Sequence, residues 1–273
     1  AKLVQLDELA EKTLLSVAHP IVLCAKVKDC PISVHVAPGT RTLGIMLPYT
    51  PLHELLFAKV QIPLVMTSAN PSDEPLCAEN DEALKRLSQI ASLFLLHNRD
   101  IERAIDDSVV VAMNGRMVPL RRARGYVPAK IPVEDRGETT ILATGGDLKS
   151  AVCLLSGSEA TLSEHLGELS NPLALRNFMG AIDKMKDLLS LTPQVVAYDL
   201  HPAYGSAKHG KSLSLRETAV QHHHAHIVSC MADNCLTGSV IGVACDGTGY
   251  GTDGAIWGCE IMQCDEVDFQ RMG

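Results

Sequence analysis

The stretch that decides the fold is ILATGGDLKSAVCLL, residues 141–155, in which two apolar runs flank a short glycine-containing turn. Glycine tolerates the backbone angles that a tight connection needs, so this stretch predicts a β-hairpin. Further along, Asn171-Pro172 is typical of a helix start, and apolar side chains at helical spacing extend that helix to Ser190. Residues 195–198 then form an apolar run typical of a buried strand. Strands that alternate with helices predict an α/β fold.

The same alternation continues on both sides of this stretch. Downstream, the pattern predicts a helix at 221–232 and strands at 240–245 and 255–261. Upstream, it predicts helices at 7–16 and 51–57, a helix capped by Asn80, and several strands, at 20–27, 43–47, 63–66, 92–96 and 109–111. The segment 128–140, PAKIPVEDRGETT, has no periodicity and predicts a linker. We therefore expect two domains, at 1–130 and 138–273.

Composition limits the class of protein. The 273 residues include 24 Lys and Arg against 32 Asp and Glu, a formal net charge of −8, and 46% are hydrophobic. This acidity disfavours binding to long nucleic acids, which need clustered positive charge. No apolar run is long enough for a membrane span and no signal peptide is evident, so we expect a cytoplasmic protein with no membrane partner. Nine cysteines without a CxxC pair, several of them within apolar runs (Cys24, Cys153 and Cys245), are expected to be reduced core thiols.

The densest cluster of possible ligands is QHHHAH, residues 221–226. On a helix, His222 and His226 share one face, whereas His223 and His224 are expected to point elsewhere. An i, i+4 histidine pair can hold a metal ion when a third ligand joins it, although a solvated polar helix start is the alternative. Asp246, which follows a buried strand and precedes GTGYG, is available as that ligand. A plain glycine-rich hairpin explains this second motif equally well.

Other polar groups follow apolar runs. The turn GGDLKS at 145–150 and the group TSAN at 67–70 can hydrogen-bond phosphate or carboxylate oxygens. Asp199 follows a buried strand, where α/β proteins place ligand groups, and a capped turn is its alternative. The run RRARG at 121–125 is a candidate anion site, or else a solvated basic loop.

Taken together, these motifs resemble the HypF family of carbamoyltransferases, which act in hydrogenase maturation. From residue 43 to 128, the phrases LGIMLPYTPLHELL, PLVMTSANPSDEP, LLHNRDIERAIDDSVV and PLRRARGYVP resemble the family's YrdC-like domain, a twisted mixed sheet. Beyond the linker, LATGGDLKSAVCLLSG, LSEHLGEL, DLHPAY, QHHHAHIVSCMAD and DGTGYGTDGAIWGCE resemble the first half of its actin-like ATPase domain, which is ribonuclease H-like. The likeness covers nearly the whole chain.

The resemblance implies a mechanism. Carbamate from carbamoyl phosphate is adenylated with ATP and Mg2+ to carbamoyl adenylate, and the carbamoyl group passes to the C-terminal Cys thiol of HypE for the cyanide ligands of the NiFe centre. It implies nucleotide or carbamate binding by six side chains of the first domain: Thr67, Ser68, Asn70, Ser108, Arg122 and Arg124. In the second domain it implies that His222, His226 and Asp246 bind Zn2+ or Fe2+.

Parts of the family pattern are not in this sequence. The acylphosphatase domain, the Cys-rich zinc fingers, the early YrdC-like segment and the second half of the actin-like domain are missing, so we expect a fragment with little or no complete activity. Two alternatives stay open: threonylcarbamoyl transfer in tRNA modification, against which the acidity counts, and a truncated module without catalysis.

Overall fold

The structure is a computed structural model that describes residues 2–72, 74–135 and 137–273. Asp73, at the end of the polar turn that begins at Thr67, and Arg136, in the expected linker, lie outside the described residues. The chain divides into two compact units, the first of residues up to 72 and 76–127, and the second of residues 128–273 with Glu74 and Pro75. No helix in the described parts of the chain combines the length and apolar character needed to cross a bilayer.

The first unit is built around a mixed sheet. Its elements are α1 (Glu8–Leu14), β1 (Ile21–Ala25), β2 (Thr42–Ile45), α2 (Pro51–Phe57), α3 (Asn80–Leu87), β3 (Val109–Met113) and β4 (Arg116–Arg121). The strand order is β2-β1-β3-β4, in which β1 and β3 are parallel and the other pairs antiparallel. Val22 and Val110, both 0% exposed, lie side by side on the central strands and form the centre of the core.

The helices of this unit begin where the sequence predicts. Asp7 caps α1 by accepting a 2.7 Å hydrogen bond from the backbone N–H of Ala10. Thr50 caps α2, and Pro51 occupies its first turn, where a missing N–H costs nothing. The third helix differs in detail, because its N-cap residue is Glu79 and Asn80 lies inside the helix.

Two predicted strands of the first unit, 63–66 and 92–96, are wrong. Neither segment forms a strand in the described residues. Their apolar side chains are largely exposed, with Val65 at 71% and Leu93 at 89%. An apolar run becomes a strand only when a neighbouring strand satisfies its backbone groups, and periodicity does not report whether that neighbour exists.

The second unit contains a larger mixed sheet. Its elements are β5 (Lys130–Pro132), β6 (Ile141–Ala143), β7 (Cys153–Ser156), β8 (Glu159–Leu162), α4 (Pro172–Leu189), β9 (Val195–Asp199), α5 (Gly205–Ser212), β10 (Arg216–Val220), α6 (His222–Asp233), β11 (Val240–Ala244), β12 (Gly249–Tyr250), β13 (Ile256–Trp257), β14 (Glu260–Cys264) and β15 (Phe269–Arg271). The main sheet has the order β10-β9-β6-β7-β8-β5. Strands β6, β9 and β10 are parallel, whereas β6, β7 and β8 form an antiparallel meander.

The predicted hairpin, helix and strand that open this unit are confirmed. Ile141 pairs with Leu155 across β6 and β7. The carboxamide oxygen of Asn171 accepts hydrogen bonds from two backbone N–H groups at the start of α4, at 2.8 and 3.4 Å. Helix α4 packs Phe178, which is 0% exposed, against Leu142 and Val196 of the sheet. The α/β class predicted from this alternation follows from that packing.

The ends of the second unit depart from the sequence pattern. Part of the expected linker is strand β5, whose Lys130 pairs with Thr161 of β8, because a short edge strand needs no strong periodicity. The single strand expected at 255–261 is two strands, β13 and the start of β14, separated by Gly258 and Cys259. The first of them pairs with β12 to form a small hairpin, and β14 pairs with β11 and β15.

The cysteines are free thiols, but they are not all in the core. Cys24 is buried, and burial raises the pKa of the Cys153 thiol to about 11. Cys245 was expected in the core and is exposed. It lies one residue beyond the end of β11, where the apolar pattern of the strand no longer controls burial.

Candidate metal site

Helix α6 presents two histidine rings one turn apart at its N-terminal end. Gln221 caps the helix, because its side-chain oxygen accepts a 2.9 Å hydrogen bond from the backbone N–H of His224. The ring centroids of His222 and His226 are 4.7 Å apart, and their Nε2 atoms are 3.2 Å apart. The pair shares one helix face, as the i, i+4 spacing predicts.

Asp246, two residues beyond the end of β11, brings a carboxylate to this pair. Its Oδ2 atom lies 3.0 Å from Nε2 of His222 and 3.6 Å from Nε2 of His226. The possible ligand atoms of the three residues all lie within 4.8 Å of one another. Two imidazole nitrogens and one carboxylate oxygen at this spacing can bind one divalent metal ion.

Asp199 fixes the opposite nitrogen of His222. It is the last residue of β9, is 8% exposed, and places Oδ2 2.6 Å from Nδ1 of His222. Its Oδ1 atom accepts a 2.8 Å hydrogen bond from the backbone N–H of His201. The hydrogen bond from the His222 ring to Asp199 raises the pKa of His222 above its ordinary 6.5, although burial opposes the rise. Asp199 therefore holds a hydrogen on Nδ1 and leaves Nε2 facing Asp246.

The hydrogen-bonding groups around Asp246 fit a cation. When Nδ1 of His222 donates to Asp199, Nε2 of a neutral His222 ring has only a lone pair to direct at Asp246. The Oδ2 atom of Asp246 is buried and has no hydrogen-bond donor among the residues that the structure describes. Buried acceptors that converge without a proton between them are costly unless a positive charge lies at their centre. The three side chains therefore fit a bound metal.

His223 also contacts Asp246, which corrects the expectation that its ring points away. The ring is 0% exposed, and its Nε2 atom lies 2.7 Å from Oδ1 of Asp246. Gly249 allows this packing, because a Cβ atom there would lie 2.4 Å from Cε1 of His223. The loop after β11 therefore packs closely against the start of α6, and the carboxylate of Asp246 contacts both His222 and His223. His224 does point away, with Nε2 2.8 Å from the carbonyl oxygen of Asp265.

The cluster is accessible on the His226 side. The side chain of His226 is 53% exposed, whereas that of His222 is 18% exposed. Its partial burial lowers the pKa of His226, and the neighbouring His222 adds to the effect. The ring is therefore ready to act as a neutral ligand at neutral pH.

The glycine-rich turn of residues 145–150 has a structural function as well. Asp147 accepts hydrogen bonds of 2.8 and 2.9 Å from the backbone N–H groups of Gly205 and Ser206. It thereby occupies the N-terminus of α5, a position that favours negative charge. The acidic side chain of this turn is already engaged within the unit.

In the first unit, Ser108 and Arg124 are brought together. Ser108 is 0% exposed and donates a 3.0 Å hydrogen bond to the carbonyl oxygen of Arg124. The Arg124 guanidinium donates to Asp107 at 2.9 Å and to the carbonyl oxygens of Ala18 and His19 at 2.9 and 2.8 Å. Most of its donors are therefore used to hold the surrounding loops.

The rest of the basic cluster is partly neutralised. Arg121 forms an ion pair of 2.8 Å with Asp106. Arg122 is half-buried and lies close enough to Tyr126 to oppose the rise that burial produces in the pKa of that phenol. An anion at this cluster therefore competes with at least one carboxylate.

Thr67, Ser68 and Asn70 lie on a locally closed turn. Thr67 and Ser68 are exposed. The backbone N–H of Asn70 donates to the carbonyl oxygen of Ser68 at 3.1 Å, and its side chain donates to that of Pro71 at 3.0 Å. The turn presents two hydroxyl groups to solvent.

Comparison with protein families matches almost the whole chain. A model described as "Telomere recombination", of the Sua5, YciO and YrdC type, matches residues 1–123. The model "HypF Kae1-like domain" matches 136–233, and "Carbamoyltransferase, Kae1-like Domain, second subdomain" matches 242–273. Carbamoyltransferase HypF from Synechocystis sp. is 42% identical over 98% of this chain, and so is HypF from Rhizobium leguminosarum bv. viciae. The chain belongs to the HypF family.

Solved structures of HypF proteins agree with this assignment. The crystal structure of a full-length HypF in the phosphate- and nucleotide-bound form matches with a TM-score of 0.94, 46% identity and coverage of 99% of this chain and 43% of that chain. HypF from T. kodakarensis matches with a TM-score of 0.91 and 36% identity, covering 99% of this chain and 36% of that chain. The first unit is therefore YrdC-like, and the second is the actin-like, Kae1-like domain. The chain spans about a third of the length of the curated relatives it matches, 35% and 36% for the two above.

Two residues that contact the proposed metal ligands, Asp199 and His223, have no signal in the spacing of the sequence. Asp199 follows a buried strand, which makes it a candidate ligand group, but nothing in the sequence pairs it with His222. The parallel register provides the reason, since β9 and β10 end together and α6 starts directly after β10. His223 could be found only by knowing how the loop after β11 folds back.

Proposed function

We propose that this chain forms part of a carbamoyltransferase of NiFe hydrogenase maturation. In the proposed reaction, an oxygen of carbamate, derived from carbamoyl phosphate, attacks the α-phosphorus of ATP and releases pyrophosphate. The C-terminal Cys thiolate of HypE then attacks the carbonyl carbon of carbamoyl adenylate, and AMP leaves as the C–O bond to phosphate breaks. The transferred group becomes the cyanide ligand precursor. Family membership and the names of the relatives support this proposal.

In the second unit, the proposed role of His222, His226 and Asp246 is to bind Zn2+ or Fe2+. The observation that carries this proposal is the convergence of their ligand atoms within 4.8 Å, with Asp199 on the far nitrogen of His222. The metal would supply Lewis-acid chemistry, which favours phosphate oxygens as further ligands. The chain's own part is to hold Nε2 of His222 toward the centre through Asp199 and to leave access beside His226.

In the first unit, we assign ATP, with Mg2+, and carbamate to the polar residues that the family motifs share. The hydroxyl groups of Thr67 and Ser68 and the amide of Asn70 suit phosphate or carbamate oxygens. Arg122 supplies positive charge, whereas Arg124 and Ser108 support the site mainly through the loops that they join. The nucleotide and phosphate bound by the crystallised relative favour such a site.

The metal proposal is tested by titrating the chelator-treated chain with Zn2+ in a calorimeter. We expect one ion per chain for the wild type, strong loss of binding for His226→Gln, and unchanged binding for His35→Gln, an exposed histidine of the first unit. Equal affinities in the two variants would refute the site.

The transfer reaction needs a separate test. The matching segment of the Synechocystis relative is replaced by this chain, and HypE carbamoylation is followed by mass spectrometry with ATP and carbamoyl phosphate. The chimera should modify the C-terminal Cys of HypE, and the same chimera with His226→Gln should not. A folded chimera that binds Zn2+ but leaves HypE unmodified would contradict the transferase proposal and leave the metal site standing.

A further inference from the structure

Two exposed cysteines lie in contact beside the Asp246 loop. The Sγ atoms of Cys245 and Cys259 are 3.2 Å apart, and both residues are exposed. In the antiparallel strands β11 and β14, Ala244 pairs with Glu260. Cys245 directly follows Ala244 and Cys259 directly precedes Glu260, so the two cysteines lie opposite each other at the end of this pairing. The strand pairing, rather than a flexible loop, therefore sets the distance between the sulfurs.

This geometry is close to that of a disulfide. A disulfide bond is about 2.0 Å long, so the sulfur atoms need to approach by little more than 1 Å, which rotation of the two side chains can provide. Glu260, next to Cys259, is held by strand pairing with Ala244 and by side-chain contacts of 2.6 and 2.8 Å with Arg271. Cross-strand neighbours at a strand end satisfy the requirement that the two Cβ atoms face each other.

We propose that Cys245 and Cys259 form a reversible redox pair, which a peroxide oxidises to a disulfide and a thiol reduces. In the oxidation, one thiolate attacks a peroxide oxygen, the O–O bond breaks, and a sulfenic acid and hydroxide form. The second thiolate then attacks the sulfenic sulfur and displaces hydroxide, so that hydrogen peroxide and two thiols give one disulfide and two water molecules. Exchange with an excess of a small thiol restores both cysteines.

The disulfide would close the segment that carries Asp246. The residues between the cysteines include Asp246 and the β12–β13 hairpin. A cross-link at the base of this segment restricts the unfolded chain and fixes the two ends of the segment to each other. Oxidation of the two cysteines would therefore constrain the loop that carries Asp246, and reduction would release that constraint. Formation of the disulfide does not depend on the proposed metal or on carbamoyl transfer.

The test oxidises the reduced, chelator-treated chain with a small excess of hydrogen peroxide and maps its peptides without reduction. Mildly alkaline buffer is used, because hydrogen bonding with Cys245 raises the pKa of the Cys259 thiol. We expect a peptide pair joined through Cys245 and Cys259, lighter by two hydrogen atoms, that separates on addition of a thiol. The oxidised chain should melt a few degrees higher than the reduced chain.

Three serine variants provide the controls. Cys245→Ser and Cys259→Ser should lose the cross-link and the rise in melting temperature, whereas Cys230→Ser, at an exposed cysteine on α6, should keep both. The wild-type peptide map decides the matter even if one variant folds poorly. A cross-link between other cysteines, or conversion of Cys245 and Cys259 to sulfinic or sulfonic acid without a joined peptide pair, would overturn the proposal.

Discussion

Replacing Asp199 by Asn tests how much the residue that orients His222 contributes to metal binding, without changing any of the proposed ligands. The substitution keeps the size of the side chain and leaves His222, His226 and Asp246 in place. It removes the carboxylate that lies 2.6 Å from Nδ1 of His222, whose hydrogen bond with the ring is the largest cause of the rise in the pKa of His222. In the Asn variant, the pKa of His222 should fall, because the imidazolium loses its nearest carboxylate.

The expected loss of metal affinity follows from this contact. Removing a carboxylate that orients a metal-binding histidine typically costs 10- to 100-fold in affinity, about 1.4–2.8 kcal/mol. Asp199 is 8% exposed and makes a short contact, so its charge is poorly screened by solvent. We therefore expect the upper half of that range, a loss of roughly 30- to 100-fold in affinity for Zn2+.

The assay is calorimetric titration with Zn2+ in the presence of a competing chelator, at a pH where both histidines are neutral. Asp183→Asn is the matched control, because this exposed carboxylate of α4 pairs with Lys186 rather than with any of the proposed ligands. NMR titration of the metal-free chain measures the pKa of His222 separately. An Asp199→Asn variant that is folded, has a lowered His222 pKa and still binds Zn2+ as tightly as the wild type would refute the reasoning.

Three further predictions concern packing and pH. Phe178→Ala, at a fully buried position, should lower the free energy of unfolding by about 3–5 kcal/mol in urea denaturation, and Met179→Ala, at a half-exposed one, by much less. Gly249→Ala should weaken Zn2+ binding in calorimetry, because its Cβ would lie 2.4 Å from a buried histidine ring, whereas Gly247→Ala, with open space around it, should not. Burial lowers the pKa of His209 below 6.5, so its neutral form contributes stability above pH 6.5 that is lost as the pH falls toward the lowered value. In urea denaturation at several pH values, the free energy of unfolding should fall less steeply with decreasing pH for His209→Gln than for the wild type. An equally steep fall in both proteins would contradict a lowered pKa of His209.

The features that the sequence predicted well depend on local chemistry. Asp7, Pro51 and Asn171 mark helix starts because their side chains or rings satisfy conditions within one helical turn. The histidine pair at positions 222 and 226 is local in the same sense. Each of these inferences needs only the geometry of a single element, which propensity and periodicity describe directly.

The features that were wrong or missed depend on partners distant in the chain. The apolar runs at 63–66 and 92–96 have strand-like composition, but pairing decides whether a strand forms. Asp199 and His222 are 23 positions apart and meet through the register of parallel strands. His223 meets Asp246 because a loop without periodicity closes over the helix. Sequence patterns give no signal for either contact.

The pKa of His222 is raised and that of His226 is lowered, because the two rings have different neighbours. Two carboxylates, Asp199 and Asp246, face His222 from opposite ring nitrogens and favour a positive charge on it, whereas burial and that neighbouring ring disfavour a second charge on His226. The proposed divalent ion would find two imidazole nitrogens and a carboxylate already close together, because the contact with Asp199 orients the ring of His222. The spacing of the ligand atoms therefore suits the proposed metal ion, because one cation at their centre could contact all three side chains.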